Sequence, residues 1–177
     1  MNQSLIDSLK GRQTLSISMV CLGNICRSPM AAAVLAGKTS DWKMPKIEVH
    51  SSGTGSWHVG QGPHPSSKKI WERAGYKYDH TAKQFKVNDF FLHDLILVMD
   101  SSNYQNVLSL AESDEHRNKV FYLRNFDSSL KDIDPMSADF YKLEVPDPYN
   151  QSDEAYEETL AMVECAVDGL LQELKNL

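Results

Sequence analysis

Long apolar runs are missing from this chain of 177 residues. No stretch approaches the roughly 18 apolar residues of a membrane-crossing helix, so neither a transmembrane segment nor a membrane partner is expected. Met1 to Thr14 is polar and has no apolar h-region, unlike a secretory signal. Cysteine is scarce. The three present, Cys21, Cys26 and Cys165, make no disulfide framework and suit a reducing, cytoplasmic setting. Cys-x2-Cys pairs are absent and the six histidines lack ligand spacing, so no metal site is expected. An excess of positive charge is lacking too. The formal net charge is −6, which argues against a nucleic-acid partner. Without repeats or low-complexity tracts, the length fits one domain over residues 1–177, with residues 1–13 as a polar lead-in, frayed or a short helix.

What is present centres on Val20-Cys21-Leu22-Gly23-Asn24-Ile25-Cys26-Arg27-Ser28-Pro29. Leu15 to Val20 alternates apolar and small residues and predicts a buried strand. Ser28 suits a helix N-cap and Pro29 the first helical position, and the Ala, Met and Leu that follow favour helix. A strand–loop–helix of this kind turns loop amides and a helix N-terminus onto one point, which attracts an anion. Gly23 and Asn24 tolerate the positive φ such a loop requires. The planar fork of Arg27 can hold two phosphate oxygens at once. Cys21 then lies beneath the anion, where the helix and Arg27 favour its thiolate, and Ser28 can donate to that sulfur. A cysteine closing a strand is ordinarily core. Here the order of Gly-Asn, Arg and Ser-Pro favours the chemical reading.

Further along, Ile47 to Ser51 reads as a strand leading into the turn signal Ser52-Gly53-Thr54-Gly55, and Ser56 to Pro65 as loop. Lys68 to Ala74 predicts a helix stopped by Gly75, and a short helix is expected near Val87. Leu95 to Met99 is a continuous apolar run, as in a parallel strand buried on both faces. Ser102 to Leu110 predicts a helix, Lys119 to Leu123 a fourth strand, and Asn125 to Asn150 a long loop-like stretch. Tyr156, Leu160, Val163, Val167, Leu170, Leu171 and Leu174 line one face of a C-terminal helix. Alternating strands and helices give the fold class α/β. We expect one twisted four-stranded parallel sheet flanked by helices on both faces, with the site at the carboxyl end of its strands.

Cys21 to Pro29 resembles, without a gap, the signature of the low-molecular-weight protein tyrosine phosphatases, bacterial-type members included. Val145-Pro146-Asp147-Pro148-Tyr149 contains the Asp-Pro-Tyr with which that family ends its catalytic loop. By itself Pro-Asp-Pro is a stiff turn with a solvated carboxylate. The resemblance implies that Asp147 is the general acid and then the base for water, with Cys21 as nucleophile and Arg27 on the phosphate. It implies a substrate site formed by Leu22, Gly23, Asn24, Ile25, Cys26 and Ser28, with Trp57 and Tyr149 as walls of a slot for a phenyl ring. Ser51, His80 and Asp100 are its expected supports. No cofactor is implied. The partner is a phosphotyrosine protein, among bacteria a tyrosine kinase or its targets.

The chain departs from the family at Asn150, where many members carry a second tyrosine, and at Ala32-Ala33 in place of Ala-Glu. Rival readings are an arsenate reductase, for which Cys165 is poorly placed, and a protein arginine phosphatase, against which Ile25 argues. A non-catalytic phosphotyrosine-binding module is the rival from another class. Cys26 either traps an oxidised Cys21 as a disulfide or packs behind the loop.

Overall fold

The computed structural model describes residues 1–134 and 137–177, so positions 135 and 136 of the long loop-like stretch lie outside the described residues. The lead-in is not frayed. Its α1 (Gln3–Leu9) starts where the Asn2 side chain accepts from Leu5 N–H at 2.9 Å, and it buries Leu5 and Leu9 one turn apart. Then follow β1 (Thr14–Cys21), α2 (Arg27–Lys38), β2 (Lys46–Gly53), α3 (Pro65–Arg73), α4 (Asp89–Leu92), β3 (Leu95–Val98), α5 (Ser101–Ser109), α6 (Asp114–Asn118), β4 (Val120–Tyr122) and α7 (Asp153–Lys175).

The four strands form one parallel sheet in the order β2-β1-β3-β4. Successive strand residues face opposite sides. Ile17, Met19, Leu95 and Leu97 therefore join α2, α3 and α7 in a large core, while Val20, Ile96 and Val98 pack with Phe90, Val107 and Tyr122 in a smaller one. Helices flank both faces, as the alternation implies. The chain leaves β1 toward β2 on one side and β3 lies on the other, so the carboxyl end of β1 is a switch point. Cys21 ends that strand.

Three local expectations change. Helix α2 starts at Arg27, two residues before Pro29, and its N-cap Cys26 makes no side-chain cap. Ser28 is not the cap because it already lies inside the helix, with its hydroxyl turned inward to Cys21 Sγ. Helix α6 was not anticipated, although Ser113 caps it by accepting from His116 N–H at 3.2 Å and two acidic residues follow. The described part of the long loop contains three short 3₁₀ turns, at Leu123–Phe126, Ser128–Leu130 and Ala138–Leu143. Buried Phe126, Leu143 and Val145 anchor them. Helix α7 lies so close that a Cβ on Gly169 would meet the Phe126 carbonyl oxygen at 1.7 Å. Only glycine fits there.

Candidate active site

The loop between β1 and α2 is fixed chiefly through Asn24. It alone in the loop takes a left-handed backbone (φ 56°), so the positive φ expected at Gly23 is not used. A Cβ at Gly23 would lie 3.0 Å from the ring of half-exposed His58, which would have to shift to admit it. Asn24 N–H donates to Cys21 Sγ at 3.3 Å. Its side-chain amide donates to Ser28 Oγ at 2.8 Å and Ser51 Oγ at 3.0 Å, while its Oδ1 accepts from Lys83 N–H at 2.8 Å. Asn24 is fully buried, so each of these bonds replaces one to water that folding removes.

The Asn24 carbonyl lies 2.6 Å from His80 Nε2, and Ser51 Oγ lies 3.3 Å from His80 Nδ1. A carbonyl only accepts, so Nε2 carries the proton and Nδ1 accepts from the Ser51 hydroxyl. Burial lowers the His80 pKa, which outweighs the opposing pull of the Asn24 carbonyl and keeps this neutral tautomer. Ser28 Oγ is 3.0 Å from Cys21 Sγ and 3.4 Å from the Ser52 carbonyl, so its single proton has the sulfur as nearer acceptor.

Arg27 is 2 % exposed. Its NH1 donates to Asp100 Oδ2 at 2.5 Å and to the Val145 carbonyl at 3.1 Å, and its NH2 to Asp147 Oδ2 at 3.1 Å. Burial alone would weaken the guanidinium's hold on its proton, but Cys21, Asp147 and Asp100 outweigh it and raise the pKa. Nε is buried and has no hydrogen-bond partner among the described residues. Nε and NH2 are neighbours on one edge of the fork, an edge that suits two oxygens of one anion.

Beside Arg27 opens a cavity of about 140 Å³. Cys21 and Arg27 are among its lining, with Leu22, Gly23, Ile25 and Cys26 from the loop and Trp57, Asp147 and Tyr149 from outside it. The structure thus brings Asp147 and the expected substrate positions Leu22, Gly23, Ile25, Cys26, Trp57 and Tyr149 to one cleft, whereas Asn24 and Ser28, also expected to touch substrate, do not line it. Asn24, Ser28, Ser51 and His80 stand behind it, and Asp100 braces Arg27. Asp147 Oδ1 accepts from Tyr149 N–H at 3.2 Å, and Asn150 closes the turn with φ 59°, a conformation asparagine tolerates better than tyrosine.

Sequence reasoning missed three contributors. His58 also lines the cleft, and its place next to Trp57 was the available signal. Gly53 was read as part of a turn, whereas it ends β2 so close to the loop that a Cβ would meet the Leu22 oxygen at 2.6 Å. Tyr156 was read only as core, yet its hydroxyl lies 3.7 Å from Cys26 Sγ. Cys21, Cys26 and Cys165 are all free thiols. Burial, ahead of the smaller opposing effect of Tyr156, pushes the Cys26 pKa up to about 12. Among the described residues no group of three or more His, Cys, Asp and Glu side chains is arranged to hold a metal. No helix among them is long and apolar enough to cross a membrane.

Fold and site together define an α/β protein with an anion-binding loop closed around a cysteine. The sequence profile of the low molecular weight phosphotyrosine protein phosphatases matches residues 16–177, and the chain belongs to that family of hydrolases. It is 37% identical over 164 residues to a low molecular weight protein-tyrosine-phosphatase of Streptomyces coelicolor, covering 92% of this chain and 95% of the other. The crystal structure of a protein tyrosine phosphatase from Entamoeba histolytica, with Hepes in its active site, superposes with a TM-score of 0.80 at 29% identity. That match covers 92% of this chain and 97% of the other. The YwlE arginine phosphatase of Geobacillus stearothermophilus shares the fold as well, with a TM-score of 0.75, 27% identity and coverage of 92% and 94%.

Proposed function

We propose that this enzyme hydrolyses phosphotyrosine in proteins through a phosphocysteine, with Cys21 as nucleophile and Asp147 as general acid and base. One observation carries the reading. Cys21 and Arg27 line the same cleft as Asp147, whose carboxylate accepts from Arg27 NH2 at 3.1 Å. In the first step the Cys21 thiolate attacks phosphorus in line. The bond from phosphorus to the tyrosine oxygen breaks, and Asp147 gives that oxygen its proton. Loop amides and Arg27 Nε and NH2 hold the equatorial oxygens as charge spreads onto them. The bound phosphate takes over the guanidinium edge that Asp147 now touches, which frees the carboxyl for the leaving oxygen.

In the second step Asp147, now a carboxylate, takes a proton from water as the water oxygen attacks phosphorus. The phosphorus–sulfur bond breaks, inorganic phosphate forms, and the sulfur leaves as thiolate. Ser28 Oγ and Asn24 N–H, 3.0 and 3.3 Å from the sulfur, stabilise it in both roles. The walls support an aryl ester. Leu22, Ile25, Trp57 and Tyr149 give the cleft apolar and aromatic sides that suit a flat ring. Free thiols suit a reducing cytoplasm, and a bacterial tyrosine kinase or its targets would supply phosphotyrosine there.

The test is phosphate release from matched phosphotyrosine, phosphoserine and phosphoarginine peptides across about pH 5 to 8, with Cys21→Ser as control. Release from phosphotyrosine that disappears in Cys21→Ser is the expected result. Preference for phosphoarginine would overturn the aryl reading, and binding without release would make the domain a phosphotyrosine reader.

A further inference from the structure

Helix α3 is capped by an unusual residue. N-caps are mostly Ser, Thr, Asp or Asn, yet here the ring of His64 accepts from Ser66 N–H on Nδ1 at 3.2 Å. A backbone amide only donates, so Nδ1 presents its lone pair and the ring proton sits on Nε2. The Tyr156 hydroxyl lies 3.2 Å from the same Nδ1 and therefore donates to it. Its oxygen is then left to accept from Cys26 S–H at 3.7 Å. The protons run in one order, from Cys26 to Tyr156 to His64. Burial keeps both the Cys26 thiol and the Tyr156 phenol protonated, so each has a proton to give.

The same residue touches the rear of the anion loop. His64 N–H donates to the Ile25 carbonyl at 2.8 Å, and Ser67 Oγ, one turn into α3, donates to the Cys26 carbonyl at 2.8 Å. In a planar trans peptide the carbonyl and the following N–H point opposite ways. Holding those two carbonyls outward thus turns the amides of Cys26 and Arg27 inward. On its other side the His64 ring meets Tyr149 edge-on, with centroids 5.6 Å apart and planes at 75°, while it stacks on Tyr156 at 5.6 Å and 12°.

We infer that His64 is a positioning residue with two separable effects: its capping nitrogen fixes the first turn of α3, from which His64 N–H and Ser67 Oγ hold the loop amides toward phosphate, and its ring sets the Tyr149 wall against the substrate's aryl group. This rests on the phosphatase reading above. Neither effect requires His64 to touch the reacting atoms.

The two effects part in two variants, His64→Ala and His64→Asn. Asn caps a helix as well as any residue but offers no ring. Inhibition by inorganic phosphate reads the loop. His64→Ala should weaken it about threefold to fivefold, the loss of one cap, and His64→Asn should restore it to within about twofold. The KM for an aryl phosphate reads the wall. It should rise about twofold to fivefold further in both variants, because both lose the edge contact.

Equal phosphate inhibition in wild type and His64→Ala would overturn the loop effect, as would equal weakening in both variants. An unchanged aryl KM in His64→Asn would overturn the wall effect. The ¹⁵N spectrum of His64 gives a check free of turnover: Nδ1 should be bare and Nε2 protonated, and the reverse tautomer would refute the proton order. Failure of the wild type to bind phosphate would refute the anion site itself, a result distinct from all of these.

Discussion

The two loops that meet over the cleft are built in opposite ways. Between Cys21 and Ser28 every residue but Leu22 and Gly23 is buried, and the Asn24 and Arg27 side chains and the Ile25 and Cys26 carbonyls are bonded to partners from other elements. The Asp147 loop is anchored at its start, where buried Val145 donates its N–H to the Met99 carbonyl at 2.7 Å. At its tip Asp147 and Tyr149 stand in solvent, steadied by flanking prolines and one charged contact to Arg27. The difference suits the tasks proposed for the two loops. A nucleophile and its anion cradle must not move as charge develops, so their dipoles are fixed in advance. An acid that turns base must exchange protons with water, so it has to stay accessible.

The comparison breaks most sharply at the sulfur. Cys21→Ser should lower turnover by on the order of 10⁴-fold or more, measured by phosphate release, with the fold intact by circular dichroism. Arg27→Lys keeps a charge but loses the planar fork, and kcat/KM should fall about 10²-fold to 10³-fold. Asp147→Asn tests the exposed loop. Tyrosine-like leaving groups should slow about 10²-fold and strongly activated phenols hardly at all, as a series of aryl phosphates would report. A uniform loss across that series would mean that Asp147 positions rather than protonates.

Smaller effects fall on stability. Asn24→Ala removes buried donors to Ser28 and Ser51 and the part-buried acceptor for Lys83 N–H, and should cost about 2 kcal/mol or more in a denaturant titration. Away from both loops, His93 supplies a pH effect. Burial first, then His50, lowers its pKa to about 4, whereas an unfolded imidazole protonates near 6.5. Below about 6.5 the unfolded chain takes up a proton that the folded one refuses. Stability present above that pH is therefore lost as pH falls toward 4, by about 3 kcal/mol in all. His93→Gln should flatten that part of the profile relative to wild type.

Much of this arrangement was legible in the sequence because it is local. Strand, loop and helix around Cys21 follow one another in the chain, and their residue types state their geometry. The long α7 stripe and the apolar β3 run declared themselves by periodicity. The α2 boundary was not legible, because Ser28 is both a good cap and a good donor to sulfur, and only the folded neighbours decide between them. Tyr156 and His64 were equally hidden. An aromatic on the buried stripe of a helix and a histidine in a proline loop carry no mark that they meet across 92 residues.

By itself, then, the sequence determined the α/β alternation, the anion loop with its cysteine and arginine, and the carboxyl group flanked by prolines. Each is a property of a few adjacent residues whose backbone preferences and charges act at short range. Tertiary structure alone decided which acceptors Arg27 meets, which atom of His80 and His64 carries the proton, and how Asn24 is held by five partners. Those outcomes depend on hydrogen bonds between segments remote in the chain. Such bonds acquire their partners, and their energetic weight, only when folding buries the groups away from water.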